Sequence, residues 1–162
     1  LLASSAASDV YKEDIKAVHF DLYGVHLNED ILASNITYHG AFPPDEINNQ
    51  LYSGFGLVWD GSSIEKCDGN TGEYLKYNNP HKLSLYLVSG IPVVIWKEAA
   101  EAKFVEEHGL GITVNSLDEL GAKFASLSEE EYFEMVKNVA VVSNRLKNGY
   151  YLTQAIKEIE EA

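Results

Sequence analysis

A polar, lysine-bearing segment at residues 72–82, GEYLKYNNPHK, decides the fold of this chain, because it leads into an apolar helix and a buried strand. Pro80 suits the first turn of a helix, where its missing N–H would lack an intrahelical partner anyway. Asn79 before it is a good N-cap, since its side-chain oxygen can accept a hydrogen bond from a first-turn N–H. Gly90 predicts the end of this helix, and the unbroken apolar run at residues 93–96 predicts a strand covered on both faces.

The start of this predicted helix is a candidate anion site. Its first-turn amides lack intrahelical partners and form the positive end of the helix dipole, and Lys76 and Lys82 lie beside them in the sequence. A phosphate or diphosphate is the expected ligand. The alternative is that both lysines are ordinary solvated surface residues, and that Asn78 and Asn79 only form a turn and a helix cap.

The composition excludes several classes of function. The 162 residues include 12 basic and 25 acidic side chains, a net charge of −13, whereas a nucleic-acid partner needs a basic face. No apolar run approaches the length of a membrane span, so we expect a cytoplasmic protein, either free or peripheral to the inner face of the membrane. The lone Cys67 excludes an internal disulfide and suits a reducing compartment. None of the five histidines pair at metal-ligand spacing, so no metal site is expected.

Strands and helices alternate along the chain. Residues 1–7 are the end of a strand or the turn after one, and residues 9–16 have a weak helical pattern. Further strands are predicted at residues 17–23, 35–38, 55–59, 93–96 and 111–114, and helices at 43–53, 80–89, 98–108, 116–125, 128–147 and 153–161. Residues 62–71 are expected to form a loop, and Ser128 with Glu131 to form a capping box.

This alternation predicts the fold class. It is an α/β fold, with a Rossmann-like, open and mostly parallel sheet and helices on both faces. We expect a single domain over residues 1–162, with a helical tail over about residues 128–162.

Ligand binding in such a fold is expected beyond the carboxyl ends of the strands. Three glycine turns of this chain fall there, at residues 38–40, 60–61 and 72–79. We expect these turns to converge on one site. Asp60, which follows a buried strand, is either a catalytic acid or a cap and turn residue.

Three segments of the sequence resemble a known protein family. FGLVWDG at residues 55–61, GEYLKYNNPHK at 72–82 and LYLVSGIP at 85–92 are similar to the C-terminal half of bacterial glycosyltransferases with the two-domain GT-B fold. The resemblance is to β-1,6-galactofuranosyltransferases and to the glucosyltransferases that extend glycans on serine-rich streptococcal adhesins. It implies that the chain is one half of a GT-B fold and binds the UDP-sugar donor. It also implies that the N-terminal domain, which supplies most of the acceptor site, is absent from this chain.

The resemblance implies roles for single residues. Lys76 in the donor loop is expected to be the main cation for the diphosphate of UDP, and Tyr38 matches a position beside the uracil or ribose. Tyr38 and Tyr77 either stack on the base or pack in the core, and Glu73 orients Lys76 or the sugar or is a solvated turn acid. The residues implied in binding the UDP-sugar are Tyr38, Gly40, Tyr74, Leu75, Lys76, Tyr77, Asn78, Asn79 and Lys82, with Asp60 and Glu73 as further candidates.

The function implied by the resemblance is that of the donor-binding domain of a UDP-sugar-dependent glycosyltransferase. The enzyme would move a hexosyl group, galactofuranose or glucose, to a saccharide or glycoprotein acceptor without a metal or other cofactor. No catalytic residue is assigned, because the general base is expected on the absent half, and this chain alone is expected to be inactive. The alternatives are a non-catalytic Rossmann-like module for oligomerisation or partner binding, and half of a UDP-sugar epimerase. Apolar surface left exposed by the absent domain would favour a homo-oligomer.

Overall fold

A computed structural model describes residues 2–3, 17–25, 33–61 and 63–161, and the weak helical pattern at residues 9–16 lies outside these ranges. The strands of the described ranges are β1 (Leu2–Ala3), β2 (Phe20–Leu22), β3 (Ile36–Tyr38), β4 (Phe55–Val58), β5 (Val93–Trp96) and β6 (Gly111–Val114). The α-helices are α1 (Gly69–Tyr74), α2 (His81–Ser89), α3 (Ala102–Glu107), α4 (Leu120–Ser126), α5 (Glu129–Lys147) and α6 (Tyr150–Glu160).

Every strand pair in these ranges is parallel. Hydrogen bonds join β1, β4, β5 and β6 in that order, and join β2 to β3 separately, while β1 lies against β2. The spatial order is therefore β3-β2-β1-β4-β5-β6, which is the order of a dinucleotide-binding Rossmann fold. The predicted parallel α/β fold is confirmed. Among the described residues, the hydrogen bonds group the strands into two sheets, one of four strands and one of two.

The core is centred on β4 and β5, whose residues are all buried. Helix α2 packs closely on β4 because position 56 is a glycine. A Cβ atom at Gly56 would lie only 2.1 Å from Cγ of Tyr86, a buried residue of α2. The closeness of this packing fixes the start of α2 near the carboxyl end of β4.

The predicted helix over residues 43–53 is wrong. The structure has one turn of 3-10 helix there, Ile47–Asn49, without a side-chain cap. The Asn and Gln residues at positions 48–50 have weak or moderate helix propensity, which explains why no longer helix forms. Residues 69–74 also differ from the prediction. Helix α1 spans the end of the expected loop and the start of the lysine-bearing segment.

The predicted helix before β5 is confirmed as α2, but its predicted cap is wrong. Pro80 is the N-cap residue, in an extended conformation with φ −72° and ψ 135°, and no side chain caps the helix. Asn79 therefore lies one position outside the helix. Gly90 ends α2 in the left-handed conformation at φ +85°, as the sequence predicts.

The C-terminal helices agree with the sequence prediction. Ser128 and Glu131 form the predicted capping box at the start of α5, and two residues, Asn148 and the left-handed Gly149, separate α5 from α6. Among the described residues, none of the helices combines the length and apolarity needed to cross a bilayer.

Candidate functional site

The candidate site is built on residues 75–80, the segment that joins α1 to α2. Leu75 is fully buried, and its carbonyl oxygen accepts a hydrogen bond from the amide of Ala100 at 2.9 Å. Ala100 follows β5, so this bond joins the segment to the loop beyond the carboxyl end of a central strand. Ligands of open α/β sheets bind at this edge. Leu75 therefore anchors the segment, and its side chain is too buried to meet a ligand.

Lys76 lies in this segment with three partners. Its Nζ is 3.1 Å from a carboxylate oxygen of Glu73, 3.2 Å from one of Glu98, and 5.2 Å from the ring centroid of Trp96. The pKa of the Lys76 ammonium is raised most by its hydrogen bond to Glu73 and next by its hydrogen bond to Glu98. Lys76 therefore stays protonated at any physiological pH. The aromatic face of the buried Trp96 adds a cation–π contact.

Lys82, the second residue of α2, is also paired. Its Nζ lies 2.5 Å from Oδ1 of Asp60, and about a fifth of each side chain is exposed. Asp60 is therefore the ion-pair partner of Lys82, which sequence reasoning did not foresee. The two lysines do not form a purely positive cluster, because three carboxylates accompany them.

Two of the three predicted glycine turns meet. A Cβ atom at Gly72 would lie 2.9 Å from the carbonyl oxygen of Asp60, and one at Gly61 would lie 2.7 Å from Cα of Cys67. The turns at residues 60–61 and 72–79 are thus packed together with Cys67 between them. Burial raises the pKa of the Cys67 thiol to about 12, so this cysteine is unreactive at neutral pH.

The third turn, at residues 38–40, forms a cluster of its own at the ends of β2 and β3. The hydroxyl of Tyr38 donates to the carbonyl oxygen of Gly24 at 2.6 Å, and the carbonyl oxygen of Gly40 accepts from the amide of Gly24 at 2.9 Å. His39 bonds through Nε2 to the buried Asp21. Within the described ranges, no hydrogen bond or ion pair joins Tyr38 or Gly40 to residues 72–82. The expected convergence of all three turns is therefore not seen in these contacts.

The other ligand-binding residues predicted within residues 72–82 differ in exposure. Tyr74 is 61% exposed and Tyr77 is 80% exposed, so the alternative that Tyr77 packs in the core is wrong. Asn79 is exposed. The side-chain oxygen of Asn78 is buried and has no hydrogen-bond partner among the described residues. Close to Lys76 in the sequence, Tyr74 and Tyr77 therefore present two exposed aromatic rings, and Asn78 has one hydrogen-bond acceptor without a partner among the described residues.

Sequence reasoning missed Trp96 and Glu98 as parts of this site. Glu98 follows the end of β5 by two residues, just as Asp60 follows the end of β4 by two residues. This shared position is a sequence signal that could have found it, because side chains just beyond neighbouring parallel strands lie at the same edge of the sheet. Over the ranges that the structure describes, no three His, Cys, Asp or Glu side chains are grouped to hold a metal ion.

The Rossmann strand order and parallel pairing define the chain as a Rossmann-like α/β domain, and two ion-paired lysines lie beyond its central strands. The family model described as "Glucosyltransferase 3-like, C-terminal domain" matches residues 2–159. The chain belongs to this family, and the resemblance noted in the sequence is confirmed.

Curated relatives in this family are glycosyltransferases. The chain is 37% identical over 162 residues to "Beta-1,6-galactofuranosyltransferase WbbI" of Escherichia coli (strain K12), covering 98% of this chain and 47% of the relative. It is 35% identical over 131 residues to "Glucosyltransferase 3" of Streptococcus gordonii, covering 78% of this chain and 38% of the relative. It is 29% identical over 150 residues to the protein of the same name in Streptococcus parasanguinis, covering 91% of this chain and 42% of the relative. The chain thus spans less than half the length of these relatives.

Proposed function

We propose that this domain binds the UDP-sugar donor of a glycosyltransferase and stabilises the UDP leaving group. The observation that carries the proposal is the place of Lys76. It is a protonated ammonium beyond the carboxyl end of β5, in the segment that leads into the N-terminus of α2. Relatives named for galactofuranosyl and glucosyl transfer support a sugar nucleotide as the ligand.

The proposed chemistry is electrostatic. As the bond between sugar and phosphate breaks, negative charge grows on the diphosphate, and Lys76 with the first-turn amides of α2 would neutralise it. Because these donors belong to the protein, we propose that the reaction needs no metal. Removing one donor of this kind typically costs about 10²- to 10³-fold in rate.

Lys82 has a supporting role in this proposal. Its ammonium remains with Asp60, and the pair holds the first turn of α2 against the end of β4. The exposed rings of Tyr74 and Tyr77 offer stacking faces for the base or the sugar. Tyr38, 38% exposed at the end of β3, is assigned to the uracil or ribose.

The proposal extends to the whole enzyme. The transferred group is a hexosyl group, galactofuranose or glucose, and the acceptor is a saccharide or a glycoprotein. An N-terminal domain of a GT-B fold would supply the acceptor site and the general base, so this domain alone would bind UDP weakly and transfer little. We propose a cytoplasmic location, free or peripheral to the inner face of the membrane, and self-association through exposed apolar surface.

Calorimetric titration with UDP tests the donor site. Replacing Lys76 with Met keeps the aliphatic length but removes the charge, and we expect UDP binding to weaken about ten- to hundredfold, since a hydrogen bond to a charged group is lost. Lys103→Met is the matched control, because Lys103 is exposed and pairs with Glu107 on α3. UDP should bind this control as it binds the unchanged protein.

Two results would contradict the proposal. Equal UDP affinity in the Lys76→Met and Lys103→Met variants would remove Lys76 from the site. No heat of UDP binding at millimolar concentration would favour a non-catalytic oligomerisation or partner-binding module. Product analysis of the full-length enzyme with UDP-glucose, with and without an acceptor saccharide, separates a transferase from an epimerase, because only an epimerase forms the epimeric sugar nucleotide without an acceptor.

A further inference from the structure

The Lys76 ammonium has more negative charge around it than it can neutralise. Glu73 and Glu98 both approach it within 3.2 Å, so the three side chains together have a net charge of −1 at neutral pH. A diphosphate that takes Lys76 as its partner competes with both carboxylates for the three N–H donors of the ammonium and is repelled by their charge, so we expect one or both carboxylates to move away. Both can move, because the side chain of Glu73 is 56% exposed and that of Glu98 is 64% exposed.

A displaced carboxylate next to a diphosphate needs hydrogen-bond donors in place of the ammonium. A carboxylate only accepts hydrogen bonds, and a diphosphate offers it no N–H or O–H groups. In a nucleotide diphosphate sugar, the sugar is joined directly to the second phosphate. Its hydroxyls are therefore donors that the ligand itself brings close to a carboxylate that begins within 3.2 Å of the phosphate-binding ammonium.

We propose that Glu98 accepts a hydrogen bond from a hydroxyl of the donor sugar and so favours binding of the sugar nucleotide over binding of UDP. This inference rests on the proposed donor-site function. Glu98 is favoured over Glu73 by its place in the fold. It follows β5, the strand between β4 and β6, and its segment is tied to Leu75 by the amide of Ala100. Glu73 lies three residues before Lys76 in sequence, so their pairing follows from the local helical geometry alone.

Glu98 affects the binding of UDP and of UDP-glucose differently under this proposal. With UDP alone, the Glu98 charge only competes for Lys76 and repels the phosphates, so Glu98→Ala should tighten UDP binding about three- to tenfold at low salt. With UDP-glucose, the same substitution also removes a charge-assisted hydrogen bond. The preference for UDP-glucose over UDP, measured as the ratio of the two Kd values, should therefore fall about tenfold.

Calorimetric titration of the protein with UDP and with UDP-glucose tests the proposal. Glu98→Gln should restore part of the preference for UDP-glucose, because the amide oxygen still accepts a hydrogen bond. Glu73→Ala should change both affinities by the same factor, leaving the ratio unchanged. Glu107→Ala is the matched control, because it removes an equally exposed carboxylate that pairs with Lys103, and it should leave both affinities unchanged.

An unchanged ratio of Kd values in Glu98→Ala would overturn the proposal even if UDP itself bound more tightly. A ratio that falls in Glu73→Ala and not in Glu98→Ala would move the contact to Glu73 and also overturn it. Failure of the proposed donor site has a different signature, because the unchanged protein would then bind neither UDP nor UDP-glucose.

Discussion

Replacing Lys82 with Met should destabilise the protein through the carboxylate that it leaves behind. Met keeps most of the aliphatic chain of Lys82 but removes the ammonium, 2.5 Å from Oδ1 of Asp60. The side chain of Asp60 is only 23% exposed to water. It lies near the buried Tyr86 and Cys67, and the charge of Asp60 contributes to the raised pKa values of both groups. The unpaired carboxylate would therefore remain in a poorly solvated place.

The magnitude follows from that burial. Leaving a buried polar group without its partner costs about 1–3 kcal/mol, and breaking a fully buried ion pair costs about 3–5 kcal/mol. Because about a fifth of each side chain stays exposed, we expect a loss of about 2 kcal/mol in the free energy of unfolding. For a chain of this length, that corresponds to a fall in Tm of about 4–8 °C.

Urea unfolding followed by tryptophan fluorescence measures this loss, because Trp59 and Trp96 are both buried and report on the core. The double variant Asp60→Asn/Lys82→Met should recover at least 1 kcal/mol of the loss, since it leaves no unpaired charge. Lys137→Met is the control. It breaks an exposed pair with Glu134 on α5 and should change stability by less than about 0.5 kcal/mol. Additive losses in the double variant would refute the idea that Lys82 and Asp60 act as a pair.

Three further predictions concern the fold. Gly56→Ala should lower the free energy of unfolding by about 2 kcal/mol or more, since the new methyl overlaps the Tyr86 ring. Gly121→Ala is the contrasting case, because a Cβ atom there would meet nothing closer than 3.8 Å. It should be neutral or stabilising by up to about 1 kcal/mol. Ser128→Ala should cost about 1 kcal/mol in urea unfolding, because it removes the cap of α5. Burial raises the pKa of Cys67 from 9.0 to about 12, so the folded state keeps a proton that the unfolded chain releases. Stability should be fully present below about pH 9 and fall as the pH rises toward 12, and Cys67→Ala should reduce that fall; an identical alkaline profile would contradict the assignment.

Much of the fold could be predicted from local signals. Unbroken apolar runs indicate β4 and β5, and Ser128 with Glu131 indicates the start of α5, because these features depend on residues close together in the sequence. The errors occurred where local signals conflict. Prolines and acidic residues at residues 43–46 are typical of a helix start, yet the residues after them did not sustain a helix.

The position of the candidate site could be predicted from the sequence, but the carboxylates that pair with its lysines could not. The rule that ligands bind beyond the carboxyl ends of parallel strands identified the turn at residues 60–61 and the segment around Lys76. The pairing of Lys82 with Asp60, 22 residues apart in sequence, and of Lys76 with Glu98 could not be read from spacing. These contacts join elements that meet only when α2 packs on β4 and the segment before it reaches β5.

The amino-acid sequence alone specified the parallel α/β class, the order of the strands along the chain and the family, because periodicity and motifs are local properties of the amino acids. Only the tertiary structure decided whether the lysines are free cations. That outcome depends on which carboxylates the packed strands bring within about 3 Å, and electrostatic interactions depend on distance in space, with no regard to separation along the chain.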